Sequence, residues 1–186
     1  NYDQGPVAIR YPRGAGEGVE LTSGFDLRPI GRSETLDQGE EIALLAVGHL
    51  ARKASAAARF LREQEGIAVE VVNARFIKPL DAGMLDDLAA RFKVIITLEE
   101  GTLAGGFGSA VAEYLADHHT GKAALMRCGL PDTFLSQGTR DFMLHQAGLS
   151  TQAILATIQS VRAGLENGRS GRIRNLFRFN RHVKTT

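Results

Sequence analysis

The sequence predicts an α/β domain, a mainly parallel sheet with helices on both faces. Three observations carry this. Short apolar runs alternate with helical stripes from residue 41 onward. The runs are apolar without interruption, as strands buried on both faces require. The stripes between them repeat at helical spacing and suit right-handed crossovers between parallel strands.

Taken in order, Ile42-Ala43-Leu44-Leu45-Ala46-Val47 is the first strand of this body, ended by Gly48. Leu50, Ala54, Ala57 and Leu61 then mark one helix face, and Gly66 stops the helix. Ile67-Ala68-Val69-Glu70-Val71-Val72 is the second strand. Pro79 breaks the chain, and Asp81 suits the N-cap of a short helix with Met84, Leu85 and Leu88 inward. Val94-Ile95-Ile96-Thr97-Leu98 is the third strand. A glycine-rich loop leads from it into a helix with Phe107, Ala110, Val111, Tyr114 and Leu115 on one side. A fourth strand is expected at 123–128 and a helix around 141–147. A last helix is capped by Ser150, with Ile154, Leu155, Ile158 and Val161 inward. The layout over 41–162 is Rossmann-like, and the chain has no internal repeats.

The flanks read differently. Gly5-Pro6 opens a β-prone run, Val7-Ala8-Ile9-Arg10-Tyr11, which Pro12 stops. Glycines at 14, 16 and 18 make the following stretch too flexible for an element interior. A weak strand over 30–36, turned back by Asp37-Gln38-Gly39, closes this linker. Residues 163–186 hold six basic residues and one acidic, Glu166, so the rest of the chain is net negative. This tail is expected to be disordered or a basic amphipathic segment. The chain opens on Asn1-Tyr2-Asp3 and passes straight into patterned sequence, and it is expected to be a fragment of a longer protein.

Composition narrows the function classes. A hydrophobic fraction of 44% and a charged fraction of 23% exclude a disordered or fibrous chain. A net charge of +1 implies no polyelectrolyte partner, so no nucleic acid is expected. One cysteine, Cys128, excludes an internal disulfide framework and a multi-cysteine zinc site, and fits a reducing cytoplasm. No apolar run reaches the roughly 18 residues of a membrane span, and no signal-peptide pattern is present.

Four features invite chemistry. The loop Glu99-Glu100-Gly101-Thr102-Leu103-Ala104-Gly105-Gly106-Phe107-Gly108-Ser109 joins a strand to a helix N-terminus, an arrangement that favours phosphate. Against that, Val111 stands where the third glycine of a dinucleotide fingerprint belongs, and two carboxylates guard the loop. A packing loop or domain interface is the better reading. Glu99 and Glu100 point to opposite sides of a strand end, so they form no facing pair; one is expected to cap or salt-bridge the loop. The five histidines, at 49, 118, 119, 145 and 182, form no metal-binding or triad spacing. Arg10-Tyr11-Pro12-Arg13-Gly14 places two arginines beside a proline stop. By chemistry they suit a phosphate or carboxylate, or equally a salt-bridged interface.

Four segments together resemble one family. They are Gly5-Pro6-Val7-Ala8-Ile9-Arg10-Tyr11-Pro12-Arg13-Gly14 and Asn73-Ala74-Arg75-Phe76-Ile77-Lys78-Pro79-Leu80-Asp81, then Leu98-Glu99-Glu100-Gly101 with Gly105-Gly106-Phe107-Gly108-Ser109, and Gly129-Leu130-Pro131-Asp132-Thr133-Phe134 with Gly138. Over roughly residues 1–162 the chain resembles the C-terminal third of the 1-deoxy-D-xylulose-5-phosphate synthase family, transferases of the transketolase superfamily. The resemblance implies that 1–14 is the last strand region of a pyrimidine-binding domain and 15–40 a linker. Residues 41–162 would be a transketolase-type C-terminal domain, and 163–186 the basic tail. It implies condensation of pyruvate with glyceraldehyde 3-phosphate to 1-deoxy-D-xylulose 5-phosphate and CO₂, a precursor for isoprenoid, thiamine and pyridoxal synthesis. The full-length enzyme would be a homodimer using thiamine diphosphate and Mg²⁺. The cofactor, metal and catalytic residues would all lie upstream, so this chain is expected to bind neither group and to be inactive alone. Of the family's working residues, only Arg13 falls here, at the position that anchors the aldehyde's phosphate. Two other readings stand beside this one: the beta subunit of a 2-oxoacid dehydrogenase, and a stand-alone α/β interaction module.

Overall fold

The structure, a computed structural model, describes residues 2–12, 24, 27–119 and 123–166. In order these form β1 (Glu34–Asp37), β2 (Ile42–Ala46), α1 (Leu50–Glu65), β3 (Glu70–Asn73) and α2 (Ala82–Arg91). Then come β4 (Val94–Thr102), α3 (Phe107–His118), β5 (Ala124–Leu130), α4 (Arg140–Gln146) and α5 (Thr151–Glu166). The five-stranded sheet runs β1-β3-β2-β4-β5. Its β3, β2, β4 and β5 are parallel, and β1 pairs antiparallel with β3.

Strand alternation sorts the core into two layers. Ile42, Leu44 and Ala46 of β2 face a cluster with Leu50, Ala54 and Leu61 of α1 and Ile154, Ile158 and Val161 of α5. Ala43 and Leu45 face the opposite way, onto Leu85 and Leu88 of α2 and Phe107 and Val111 of α3. Helices therefore cover both faces, as the uninterrupted apolar runs require. Gly66 ends α1 in the left-handed region at φ 67°. Asp81 caps α2, accepting from the Met84 amide at 3.2 Å. Among the described residues, no helix is long and apolar enough to cross a membrane.

Several boundaries move, each for a local reason. β1 joins the sheet, so the α/β body begins by Glu34, ahead of residue 41. Asp81 helps hold it there, since its carboxylate also accepts from the Ser33 amide at 2.7 Å and pairs with Arg32. Arg75, from the same motif, pairs with Glu34 of β1. β3 starts later than expected, because Ala68 accepts from the Glu40 amide and the Ile67 amide closes the end of α1. At the far end α5 continues to Glu166, so residues 163–166 are helical rather than part of a disordered tail. The rest of the basic tail, 167–186, lies outside the described residues.

The run Val7–Tyr11 forms no strand here. Val7, Ile9 and Tyr11 are exposed, and the run pairs with no strand among the described residues. β-Propensity alone does not make a strand, because the backbone groups need a neighbour to bond.

Candidate functional site

Because β2, β4 and β5 are parallel, their carboxyl ends converge on one edge of the sheet. In open α/β sheets this edge is where ligands are met. β4 reaches further into it than sequence suggested, through Glu99, Glu100 and Gly101 to Thr102. It stays paired with β5 as far as Thr102 opposite Leu130, across an irregularity after Leu98. Those polar residues read as loop by composition, but the groups around them satisfy them.

Glu99 is 3% exposed, and its two carboxylate oxygens take the first amides of α3. Oε2 accepts from Phe107 N at 2.7 Å and Oε1 from Gly108 N at 2.8 Å. A buried acid thus meets the orphan N–H groups and the positive end of the helix dipole. The glycines pack around it. A Cβ at Gly106 would lie 2.1 Å from the Thr102 carbonyl oxygen and 2.4 Å from Glu99 Oε2, and one at Gly101 2.6 Å from the same carboxylate oxygen. The loop is glycine-rich because a carboxylate fills it. Ser109 braces its far side, accepting from Gly105 N at 3.2 Å and donating to Leu103 O at 2.8 Å.

Glu100 faces the other way and pairs with Arg140 of α4. Strand alternation sends the two carboxylates to opposite sides, as expected, and the expected cap is Glu99; the ion pair of Glu100 was not anticipated. The main-chain oxygen of Glu100 accepts from Arg10 Nη2 at 2.7 Å. Arg10 therefore ties the segment 2–12 to the end of β4. Sequence reasoning missed Arg140. Nothing in its local pattern distinguished it, and its partner is forty residues away. Arg13, the sequence-expected phosphate anchor, lies outside the described residues.

Two of the histidines and the cysteine resolve as structure, while His182 lies outside the described residues. His118 ends α3 and stacks on Tyr114 at 4.2 Å, while His119 Nε2 lies 2.7 Å from Asp86 Oδ1. Tyr114 donates to the same oxygen at 2.7 Å, and together these bonds hold the Asp86 carboxyl below its ordinary range. Cys128 packs against the core, and burial pushes its thiol up to about 12. Among the described residues, no group of three or more His, Cys, Asp or Glu side chains is placed to hold a metal. With the glycine loop filled by Glu99, these residues do not fit a diphosphate and its cation.

The family profile for the transketolase C-terminal domain matches residues 31–154, which includes β1. The chain is 42% identical over 160 residues to the 1-deoxy-D-xylulose-5-phosphate synthase of a Geobacillus species, covering 86% of this chain and 25% of that protein. It is 46% identical over 151 residues to the synthase of Acaryochloris marina, covering 81% of this chain and 24% of that one. Among solved structures it is similar to a split-gene transketolase described as an inactive beta4 tetramer. The TM-score is 0.65 and the identity 33%, over 73% of this chain and 43% of that one. The chain spans about a quarter of the length of the curated relatives it matches.

Proposed function

This chain belongs to the transketolase C-terminal domain family, and from that premise we propose that it is the C-terminal part of a 1-deoxy-D-xylulose-5-phosphate synthase. The enzyme condenses pyruvate with glyceraldehyde 3-phosphate, releasing CO₂ and forming 1-deoxy-D-xylulose 5-phosphate. The observation that carries this is the relatives' identity over more than four-fifths of the chain, all under that one name. A 2-oxoacid dehydrogenase beta subunit and a stand-alone interaction module find no such support.

Within this reading Arg13 binds the phosphate of the aldehyde substrate, since a guanidinium meets phosphate with a two-pronged fork. Thiamine diphosphate and Mg²⁺ are held by other parts of the enzyme, consistent with a carboxylate filling the one glycine-loop helix terminus described here. The full enzyme is a cytoplasmic homodimer, with the Gly101–Ser109 loop near a domain or subunit contact.

The direct test supplies the full-length protein with thiamine diphosphate, Mg²⁺, pyruvate and glyceraldehyde 3-phosphate. Equimolar CO₂ and 1-deoxy-D-xylulose 5-phosphate are expected. Pyruvate decarboxylation that requires a second, alpha-type subunit, with no sugar phosphate formed, contradicts the reading. For the chain alone, calorimetry is expected to detect no thiamine diphosphate binding at micromolar concentrations.

A further inference from the structure

The run Val7–Tyr11 has one side accounted for and one side bare. In an extended run alternate residues point to opposite sides, so Arg10 points one way and Val7, Ile9 and Tyr11 the other. Arg10 reaches onto this domain, where Nη2 donates to the main-chain oxygen of Glu100 at 2.7 Å. Val7, Ile9 and Tyr11 are 61%, 81% and 81% exposed. The run pairs with no strand among the described residues. A β-prone run with its polar side on one domain and its apolar side turned outward lacks a second layer.

The domain surface beside it is built the same way. Glu100 also pairs with Arg140, the first residue of α4. That helix carries Phe142, half-exposed, and the segment leading into it carries Phe134, fully exposed. Both are held in place by their neighbours. The Phe142 amide donates to Thr139 Oγ1 at 3.3 Å, and a Cβ at Gly138 would lie 2.4 Å from the Phe142 ring. Leu135 packs against the core on the α1 and α5 side, which leaves Phe134 turned out. Single exposed apolar residues are ordinary. Five of them, on the segments that meet at Glu100, mark a surface that something covers.

The occupant follows from connection. This chain covers 25% of the Geobacillus synthase, and as the C-terminal part of such an enzyme it is joined to the preceding part through residues 2–12. Those residues are fastened at this strand end, so the preceding part leaves the domain beside the patch. We propose that Phe134 and Phe142, together with Val7, Ile9 and Tyr11, form the surface on which the preceding part of the same polypeptide seats. That part adds its own sheet to Val7–Tyr11 and closes over the two phenylalanines. The inference rests on the reading of this chain as the C-terminal part of the synthase and names the contact that joins it to the rest. Phe134, an aromatic with no contact to lose inside its own domain, is the anchor of that contact.

The test is hydrogen exchange of the full-length enzyme. The amides of Val7–Tyr11 are expected to exchange slowly there. Phe134→Ser is expected to speed their exchange at least about 10-fold, the scale of losing one aromatic anchor. Phe134→Leu should restore part of the protection, because apolar area returns without the ring. Phe60→Ser, at a half-exposed phenylalanine of α1, is the control and should leave Val7–Tyr11 unchanged. Exchange within β2 and β4 should keep its wild-type rate in every variant, which separates undocking from a loss of fold. Val7–Tyr11 open in the wild type, or as protected in Phe134→Ser as in the wild type, overturns the surface. Protection that rises with protein concentration means that a second copy covers it, and overturns the choice of occupant. These readouts need no turnover. A protein that docks in this way but forms no 1-deoxy-D-xylulose 5-phosphate removes the enzymatic reading alone. A working synthase with Val7–Tyr11 open removes the docking surface alone.

Discussion

Replacing Glu99 by Gln tests why this fold carries a buried acid at all. The change keeps the shape of the side chain but leaves one oxygen where two are used. One amide, Phe107 N or Gly108 N, then faces the new NH₂ group, donor against donor. Losing a hydrogen bond to a charged acceptor costs about 1.5–3 kcal/mol. Removing the charge from the end of the α3 dipole adds about 0.3–1 kcal/mol, and more in partly buried geometry. The expected loss is therefore about 2–4 kcal/mol, a large share of the ~5–15 kcal/mol that holds a domain together. For a domain of this size that is a fall in Tm of about 5–15 °C. Urea denaturation gives the global figure, and hydrogen exchange at Phe107 and Gly108 shows whether the loss is local. A loss under about 0.5 kcal/mol with both amides still protected would refute the capping role. Retained stability with lost enzyme activity would instead make Glu99 a reacting group.

Other outcomes follow from the same contacts. Gly106→Ala should destabilise the domain by several times the ~1 kcal/mol typical of a point mutation, because its Cβ would lie 2.1 Å from a backbone oxygen; circular dichroism melts measure this. Asp81→Asn should cost about 1–2 kcal/mol near neutral pH, since one oxygen cannot serve both the Ser33 and Met84 amides. Burial alone would raise the Asp81 pKa, but those amides and Arg32 outweigh it and hold it below the ordinary value. Stability from a carboxyl lowered in this way is present above its unfolded pKa, near ~3.9. It is lost as pH falls through the lower folded value, so the gap between wild type and Asp81→Asn should close in acid, as urea titrations at several pH values will show. Cys128, its thiol pushed up to about 12, should resist iodoacetamide at pH 8 in the folded domain and react once urea unfolds it.

How much of this was legible depended on whether the determinant was local. The uninterrupted run in β2 and the stripe of α1 placed both elements to within a residue, because burial on two faces or one leaves a periodic signature. Asp81 was readable as a cap because its partner lies three residues on. Its second task, gripping the Ser33 amide, was not, since that partner is remote in sequence. β4 was read too short for a related reason. Glu-Glu-Gly looks like a loop until α3 is seen to supply two amides to Glu99. The short β1 gave only a weak signal, and its antiparallel place at the sheet edge came from pairing with β3. At the site, strand alternation gave the opposite directions of Glu99 and Glu100 but not the ion pair of Glu100, because Arg140 carried no local mark. The motif that contributes Arg75 and Asp81 bears on the edge of the fold, clamping β1, rather than on the candidate site.

We propose that Arg13 anchors the phosphate of the aldehyde substrate, and kcat/KM of Arg13→Ala for the two aldehydes tests this most directly. A hydrogen bond to a charged group is worth about 1.5–3 kcal/mol, or roughly 10–100-fold at about 1.4 kcal/mol per decade. The full-length variant should lose that factor with glyceraldehyde 3-phosphate, keep its activity on unphosphorylated glyceraldehyde, and leave the pyruvate half-reaction nearly untouched. Equal depression of both aldehydes would contradict the account and make Arg13 an interface residue.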